Sequence, residues 1–215
     1  MSASPPVNLW TRPDHARDYL ERRRGIPHRD DGYAALLEFL PPRTRRVLDL
    51  GTGDGYVIGM LRTVLPEVDG VAADFSPEML ARARERFEDV DGVSVVEHDL
   101  DLPLPAAWGT FDAVVSAFAI HHVSDDRKRA LYAEVYERLA PGGVFLNLEH
   151  VDSPTAELHQ AFLDAIGYTP EQDDPSNKLA PVGVQLGWLR DAGFTHVDCH
   201  WKWRELALLA GVRPG

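Results

Sequence analysis

The chain has 215 residues, 44% of them hydrophobic, and a formal net charge of −12. That length suits one domain with its own core. No stretch approaches the ~18 consecutive apolar residues of a membrane helix, and the acid excess argues against a nucleic-acid partner, because affinity for nucleic acid draws on phosphate neutralisation. The single cysteine, Cys199, excludes a disulfide within the chain. Residues 1–8 lack a basic stretch followed by an apolar run, so the expectation is a cytoplasmic protein with no leader and an inert, partly buried thiol.

In chain order, residues 1–13 hold three prolines and little periodicity, the pattern of a loose arm. Residues 15–24 read as a charged helix that includes Tyr19 and ends at Gly25 and Pro27. A second helix is predicted over 31–40, with Tyr33, Leu36, Leu37 and Leu40 on one face and Pro41-Pro42 as its stop. The basic runs 22–24 and Arg43, Arg45 and Arg46 read as a solvated helix face and a loop. Beyond residue 41 strands and helices alternate. Strands are predicted over 46–50, 68–73, 93–97, 111–117 and 144–148, and helices over 56–65, 76–87 and 126–139. This alternation predicts a doubly wound, mostly parallel α/β sheet with helices on both faces, capped by the N-terminal helices of residues 1–40.

After residue 151 the pattern loosens. It predicts a helix over 153–166, a polar lid or loop over 167–181, and a helix over 184–192. An alternating strand follows over 194–203, and 205–210 pairs back on it antiparallel. In that strand Trp201 and Trp203 share a face while Lys202 and Arg204 stay in water. The whole is expected to be one domain: an arm and cap over 1–40 and the sheet domain over 41–215.

The most informative segment is Val47-Leu48-Asp49-Leu50-Gly51-Thr52-Gly53-Asp54-Gly55. Alternate glycines between a strand and a helix remove Cβ atoms where a ligand approaches the backbone, and the first amides of the helix face that ligand. A tight strand–helix connection with no ligand explains the same residues. Asp74 ends the second strand about 20 residues on, where an acid can accept from ribose hydroxyls or cap a helix. Phe75 and Met79 can pack on a purine or in the core. Asp99 can accept from an adenine amino group and the Leu100 amide can donate to a ring nitrogen, while His98 reads equally as a rim residue.

From about residue 46 to 151 the sequence resembles the core of class I S-adenosylmethionine-dependent methyltransferases of the small-molecule type. The likeness rests on the run 48–55, on Asp74, on His98-Asp99-Leu100, on the strand 111–122 and on Leu139-Ala140-Pro141-Gly142-Gly143. It implies a Rossmann-like, seven-stranded sheet with one reversed strand, and S-adenosyl-L-methionine as cofactor with S-adenosyl-L-homocysteine as product. It also implies a cofactor site of Asp49, Gly51, Thr52, Gly53, Gly55, Asp74, Phe75, Met79, His98, Asp99, Leu100, Ser116 and Ala117. The expected partner is a small-molecule acceptor. No membrane, no metal and no nucleic acid are expected, and the chain is expected to be a monomer or homodimer.

An Asn-Pro-Pro-Tyr motif is absent after the fourth strand, which argues against an adenine or cytosine amino methylase. His121 and His122 follow that strand and Glu149 and His150 end the fifth, so His122, His121 and Glu149 are candidates for proton transfer. Trp10 and Tyr33 read as aromatics that either close over a ligand or pack. Three other readings stand beside this one. The chain could be an RNA-modifying methylase, suggested by a faint likeness of its tail to enzymes acting on wobble uridine. It could be a non-catalytic regulator that binds the same cofactor, or a nicotinamide oxidoreductase.

Overall fold

The computed structural model describes Trp10, Arg12, Asp14 and residues 25–215. The expected arm and the helix over 15–24, with Tyr19 and the basic run 22–24, lie otherwise outside the described residues. Helix α1 spans Arg29–Phe39, β1 Arg46–Leu50, α2 Tyr56–Val64, β2 Asp69–Asp74, α3 Pro77–Arg86 and β3 Val93–Glu97. Then come β4 Phe111–Ala117, α4 Asp125–Arg138, β5 Leu139–His150, α5 Ala156–Ile166, α6 Val182–Asp191, β6 Thr195–Trp203 and β7 Leu206–Val212.

Local chemistry fixes the ends of these elements. Pro77 opens α3, the Ser124 hydroxyl accepts from the Arg127 amide at the start of α4, and Gly167 closes α5 at φ 73°. The expected turn at 140–143 is drawn into the sheet, because the Gly142 amide donates to the Arg213 carbonyl and the Arg213 amide to the Gly143 carbonyl.

The seven strands lie in the order β3-β2-β1-β4-β5-β7-β6. β1 to β5 are parallel, and β7 runs antiparallel to both β5 and β6. Side chains alternate between two cores along each strand. On one face Leu48, Leu50, Val114, Phe145 and Leu209 meet Leu131, Tyr132 and Val135 of α4 and Leu189 of α6. On the other, Val47, Val115, Leu146, Leu148 and Leu208 meet Leu36 of α1, Leu61 of α2 and Phe162 of α5.

β6 differs from a simple alternating strand. Its register with β7 shifts between Cys199 and Trp201, so Val197 and Cys199 pack on the α4–α6 side and Trp201 and Trp203 on the α1–α5 side. A bulged residue turns the rest of a strand over. Cys199 is a free, half-buried thiol whose pKa is pushed up by burial.

The strand order reverses between β1 and β4, and a crevice at the carboxyl ends of strands on either side of such a switch point is where open α/β sheets hold ligands.

Candidate functional site

The turn after β1 is fastened to the end of β2. The Gly51 and Thr52 amides both donate to the Ala73 carbonyl, at 2.8 and 2.9 Å. Asp74 completes the anchor: Oδ2 accepts from the Gly53 amide at 2.8 Å and Oδ1 from the Ser76 amide at 2.9 Å. Burial raises the pKa of this carboxyl, against those backbone donors.

The glycines do different work. A Cβ on Gly51 would stand 2.1 Å from the Ala119 Cβ, whereas one on Gly53 would find nothing nearer than the Met79 sulfur at 3.9 Å. Gly51 therefore makes room for β4's extension, and Gly53 keeps open space above the turn. Gly55 sits away from the cavity, under the Phe87 ring. Asp49 is also fully buried behind the turn. Its Oδ2 accepts from the Thr52 hydroxyl at 2.6 Å, Oδ1 has no partner, and burial pushes its pKa up to about 7.

A cavity of about 500 Å³ lies over this turn. Of the residues expected to hold a nucleoside, Gly51, Thr52, Gly53, Asp74, Phe75, Met79, His98, Asp99, Leu100 and Ala117 line it. Asp49, Gly55 and Ser116 do not. Ser116 is buried one layer down and donates to the Leu50 carbonyl at 2.8 Å. The loop carrying Asp99 and Leu100 is clamped from α4: Arg127 donates to the Leu100 and Leu102 carbonyls and is itself held by Glu134.

Phe118 and Ala119, expected beside the end of the fourth strand, line it too, whereas sequence reading missed Arg29, Tyr56, Ser176 and Lys178, which stand in the wall with Trp10 and Tyr33. No short motif marks them; tertiary folding brings them from α1, α2 and the 167–181 loop. Phe118 adopts φ 55°, a left-handed conformation that costs about 1–2 kcal/mol. Its ring sits 4.0 Å under the Arg29 guanidinium, a buried cation that also donates to the Tyr33 hydroxyl at 3.3 Å.

The histidine pair splits. His121 is buried below the cavity floor with Nδ1 2.6 Å from Glu149 Oε1. Burial drives His121 well below the usual histidine range and Glu149 up to about 7, so both partners resist charge. His122 stands in the wall, its ring 4.1 Å from that of His121. A second cavity of about 100 Å³ adjoins the first, lined by Phe162, Leu163, Ile166 and Leu206, with His121 and His150. The two cavities share Trp10, Arg29, Phe118 and His122.

Beyond His150, Glu205 ties β7 to α5. It accepts from His150 at 2.9 Å and His159 at 3.0 Å, and those partners outweigh burial to lower its pKa. Among the described residues no group of three or more His, Cys, Asp or Glu is arranged to hold a metal ion, and no helix is long and apolar enough to cross a membrane.

Comparison with known proteins places this geometry. The family described as a methyltransferase domain matches residues 47–143. The demethylmenaquinone methyltransferase of Thermus thermophilus is 41% identical over 111 residues, which is 51% of this chain and 49% of that protein. The ubiquinone/menaquinone biosynthesis C-methyltransferase UbiE of Methylobacterium nodulans is 33% identical over 191 residues, 79% of this chain and 74% of that one. The chain spans about half, or less, of the length of several of these curated relatives, the Thermus protein among them. Among solved structures, an O-methyltransferase family protein from Burkholderia thailandensis superposes with a TM-score of 0.74 at 22% identity, covering 96% of this chain and 62% of that one. At that identity the likeness is one of fold.

Proposed function

The chain belongs to the class I S-adenosylmethionine-dependent methyltransferases, and on that footing we propose that it moves a methyl group from S-adenosylmethionine to a small, apolar-bodied acceptor by in-line displacement. The observation that carries this is the pair of joined cavities: one over the glycine turn, and a smaller apolar one beyond Phe118 and His122.

The residues fit a nucleoside with an aminoacyl tail. A volume near 500 Å³ is in the range of small-molecule sites. His98 Nε2, on a residue of the cavity wall, is a buried polar atom without a partner, and such an atom calls for a ligand or water to satisfy it. Asp74 would hold the sugar hydroxyls, Phe75 and Met79 the base faces, and Asp99 and Leu100 the base edge. When bound, S-adenosylmethionine supplies an electrophilic methyl group on a cationic sulfur that leaves as a neutral thioether.

The chain's own work is then positioning and exclusion of water. Trp10, Tyr33 and Phe118 line the cavity with aromatic surface, and Arg29 puts a buried positive charge in its wall. Ala117 and Ala119, at the end of β4, line the first cavity with small side chains. The names of the two curated relatives point to quinone-type acceptors, and the apolar wall of the second cavity suits a ring of that kind. The net charge of −12 disfavours an RNA substrate.

Thermal unfolding tests the reading. S-adenosylhomocysteine at 100 times its Kd should stabilise the chain by about 2.7 kcal/mol, roughly 5–10 °C for a domain of this size, and NAD should not. Stabilisation by NAD alone would assign the cavity to a nicotinamide cofactor.

A further inference from the structure

We infer that His122 is the proton acceptor for an acidic hydroxyl on the acceptor, and that Asp174 and Ser176 are positioning residues that hold its ring in the required tautomer. This rests on the methyl transfer proposed above.

The loop between α5 and α6 fixes where the protons around His122 sit. Asp174 Oδ1 receives the Ser176 amide at 2.8 Å and the Ser176 hydroxyl at 2.7 Å. A carboxylate only accepts, so the hydroxyl proton belongs to Asp174. Ser176 Oγ also lies 3.0 Å from His122 Nδ1. With its own proton committed, Oγ accepts here, so Nδ1 carries the hydrogen. A neutral imidazole has one N–H, which leaves Nε2, across the ring from Ser176, with its lone pair. Ser176, by accepting at Nδ1, thus fixes which nitrogen is basic.

The groups around His122 keep its ring neutral before the acceptor arrives, so that its lone pair is unoccupied. Burial first, then His121, lowers its pKa well below the ordinary value, with Asp174 and Ser176 opposing and His150 adding to the depression. Arg29 shares its wall, and Lys178 donates from Nζ to the His122 carbonyl at 2.7 Å. The loop is pinned at this point by the Lys178 amide, which donates to the His121 carbonyl at 2.8 Å, and by Lys128 on the Lys178 carbonyl. His122 also stands in the shared wall of the two cavities, on the boundary that a methyl group moving from one to the other must cross.

The step balances. The acceptor's O–H bond breaks and its proton goes to His122 Nε2. The electron pair released forms the new bond to the methyl carbon at the oxygen; attack through the conjugated ring carbon gives a dienone, whose C–H proton then leaves as the oxygen regains one and the ring becomes aromatic again. The carbon–sulfur bond breaks with its pair to sulfur. One positive charge moves from sulfur to the imidazolium, which faces Asp174 through Ser176. Phe162, Leu163, Ile166 and Leu206 suit an apolar acceptor body beside the more polar Gln172, Asp173 and Asn177, and the acidic hydroxyl that the base requires makes the class a phenol or hydroquinone.

The test uses the full chain labelled with nitrogen-15. Long-range proton–nitrogen spectra at neutral pH, without cofactor, should show the His122 ring protonated at Nδ1. Ser176→Ala should scramble the tautomer and Ser176→Thr should keep it. A ring protonated at Nε2 in the wild-type chain overturns the inference. With 1,4-naphthohydroquinone as probe under anaerobic conditions, Ser176→Ala should lower kcat about ten- to hundredfold, leave KM for S-adenosylmethionine in place, and be rescued by Ser176→Thr. No turnover of the probe by the wild-type chain overturns the acceptor class, and equal kcat in wild type and Ser176→Ala overturns the relay. Calorimetry with S-adenosylhomocysteine separates the readings: absence of binding ends the methyl-transfer proposal itself.

Discussion

Replacing Asp74 tests at once how the crevice is built and how it binds. Both carboxylate oxygens are engaged with backbone amides, Gly53 at 2.8 Å and Ser76 at 2.9 Å, and the side chain is only 8% exposed. Asp74→Ala leaves two largely shielded N–H groups without partners, at about 1–3 kcal/mol each. Because Gly53 borders the cavity and water can reach it, a total loss of about 2–4 kcal/mol is expected, or roughly 4–16 °C in Tm for a chain of this length. Losing charge-assisted bonds to the sugar adds about 1–3 kcal/mol to cofactor binding, roughly five- to 150-fold in Kd.

Asp74→Asn sharpens the test. The amide oxygen can serve one backbone donor, but the amide nitrogen then faces the other, so about half of the stability loss should remain. Urea unfolding without ligand and calorimetry with S-adenosylhomocysteine read the two effects separately. An Asn variant equal to wild type in both would refute the reasoning, because neither the turn nor the ligand would then depend on the second oxygen.

The glycine turn should split into two phenotypes. Gly51→Ala drives a Cβ to 2.1 Å from Ala119 and should cost several kcal/mol, read as a fall in urea midpoint. Gly53→Ala meets nothing closer than 3.9 Å, so it should cost only the ~1–2 kcal/mol of a positive φ while weakening S-adenosylhomocysteine at least tenfold; equal loss of stability in the two would contradict the assigned roles. Asp49, raised from 3.8 to about 7 by burial, contributes stability that is complete below about pH 4 and is lost as pH rises through 7. Relative to Asp49→Asn, the wild-type chain should therefore lose about 3 kcal/mol between pH 5 and 8, and unfolding curves that shift in parallel across that range would show that Asp49 carries no such linkage.

The sheet was legible in sequence because each strand announced itself twice, by an apolar run and by the turn that followed. The run Arg46–Leu50 with its glycines reads as a short apolar strand, and Phe111–Ala117, nearly all apolar, as a central parallel one. The same local signals located most of the cavity wall, since Gly53, Asp74 and Asp99 lie within a few residues of a strand end. Local signals did not tell which turn glycine yields space to a ligand and which to protein. That depends on Ala119 and Phe87, which lie far along the chain.

What the amino-acid order determined by itself was periodicity and the breaks in it: hence the α/β alternation, the crevice at the strand ends and the acid placed there. What only the tertiary structure decided was the company each polar group keeps. His121 and His122 are neighbours in sequence, yet one is sealed against Glu149 and the other faces Ser176 across 54 positions. Trp201 crosses to the opposite face from Cys199 because the β6–β7 register slips between them. Arg29 enters the wall only because α1 folds over the end of β4. Hydrophobic period is a property of nearest neighbours along the chain. Burial, tautomer and charge are set by whatever arrives through space, and no spacing rule encodes that arrival.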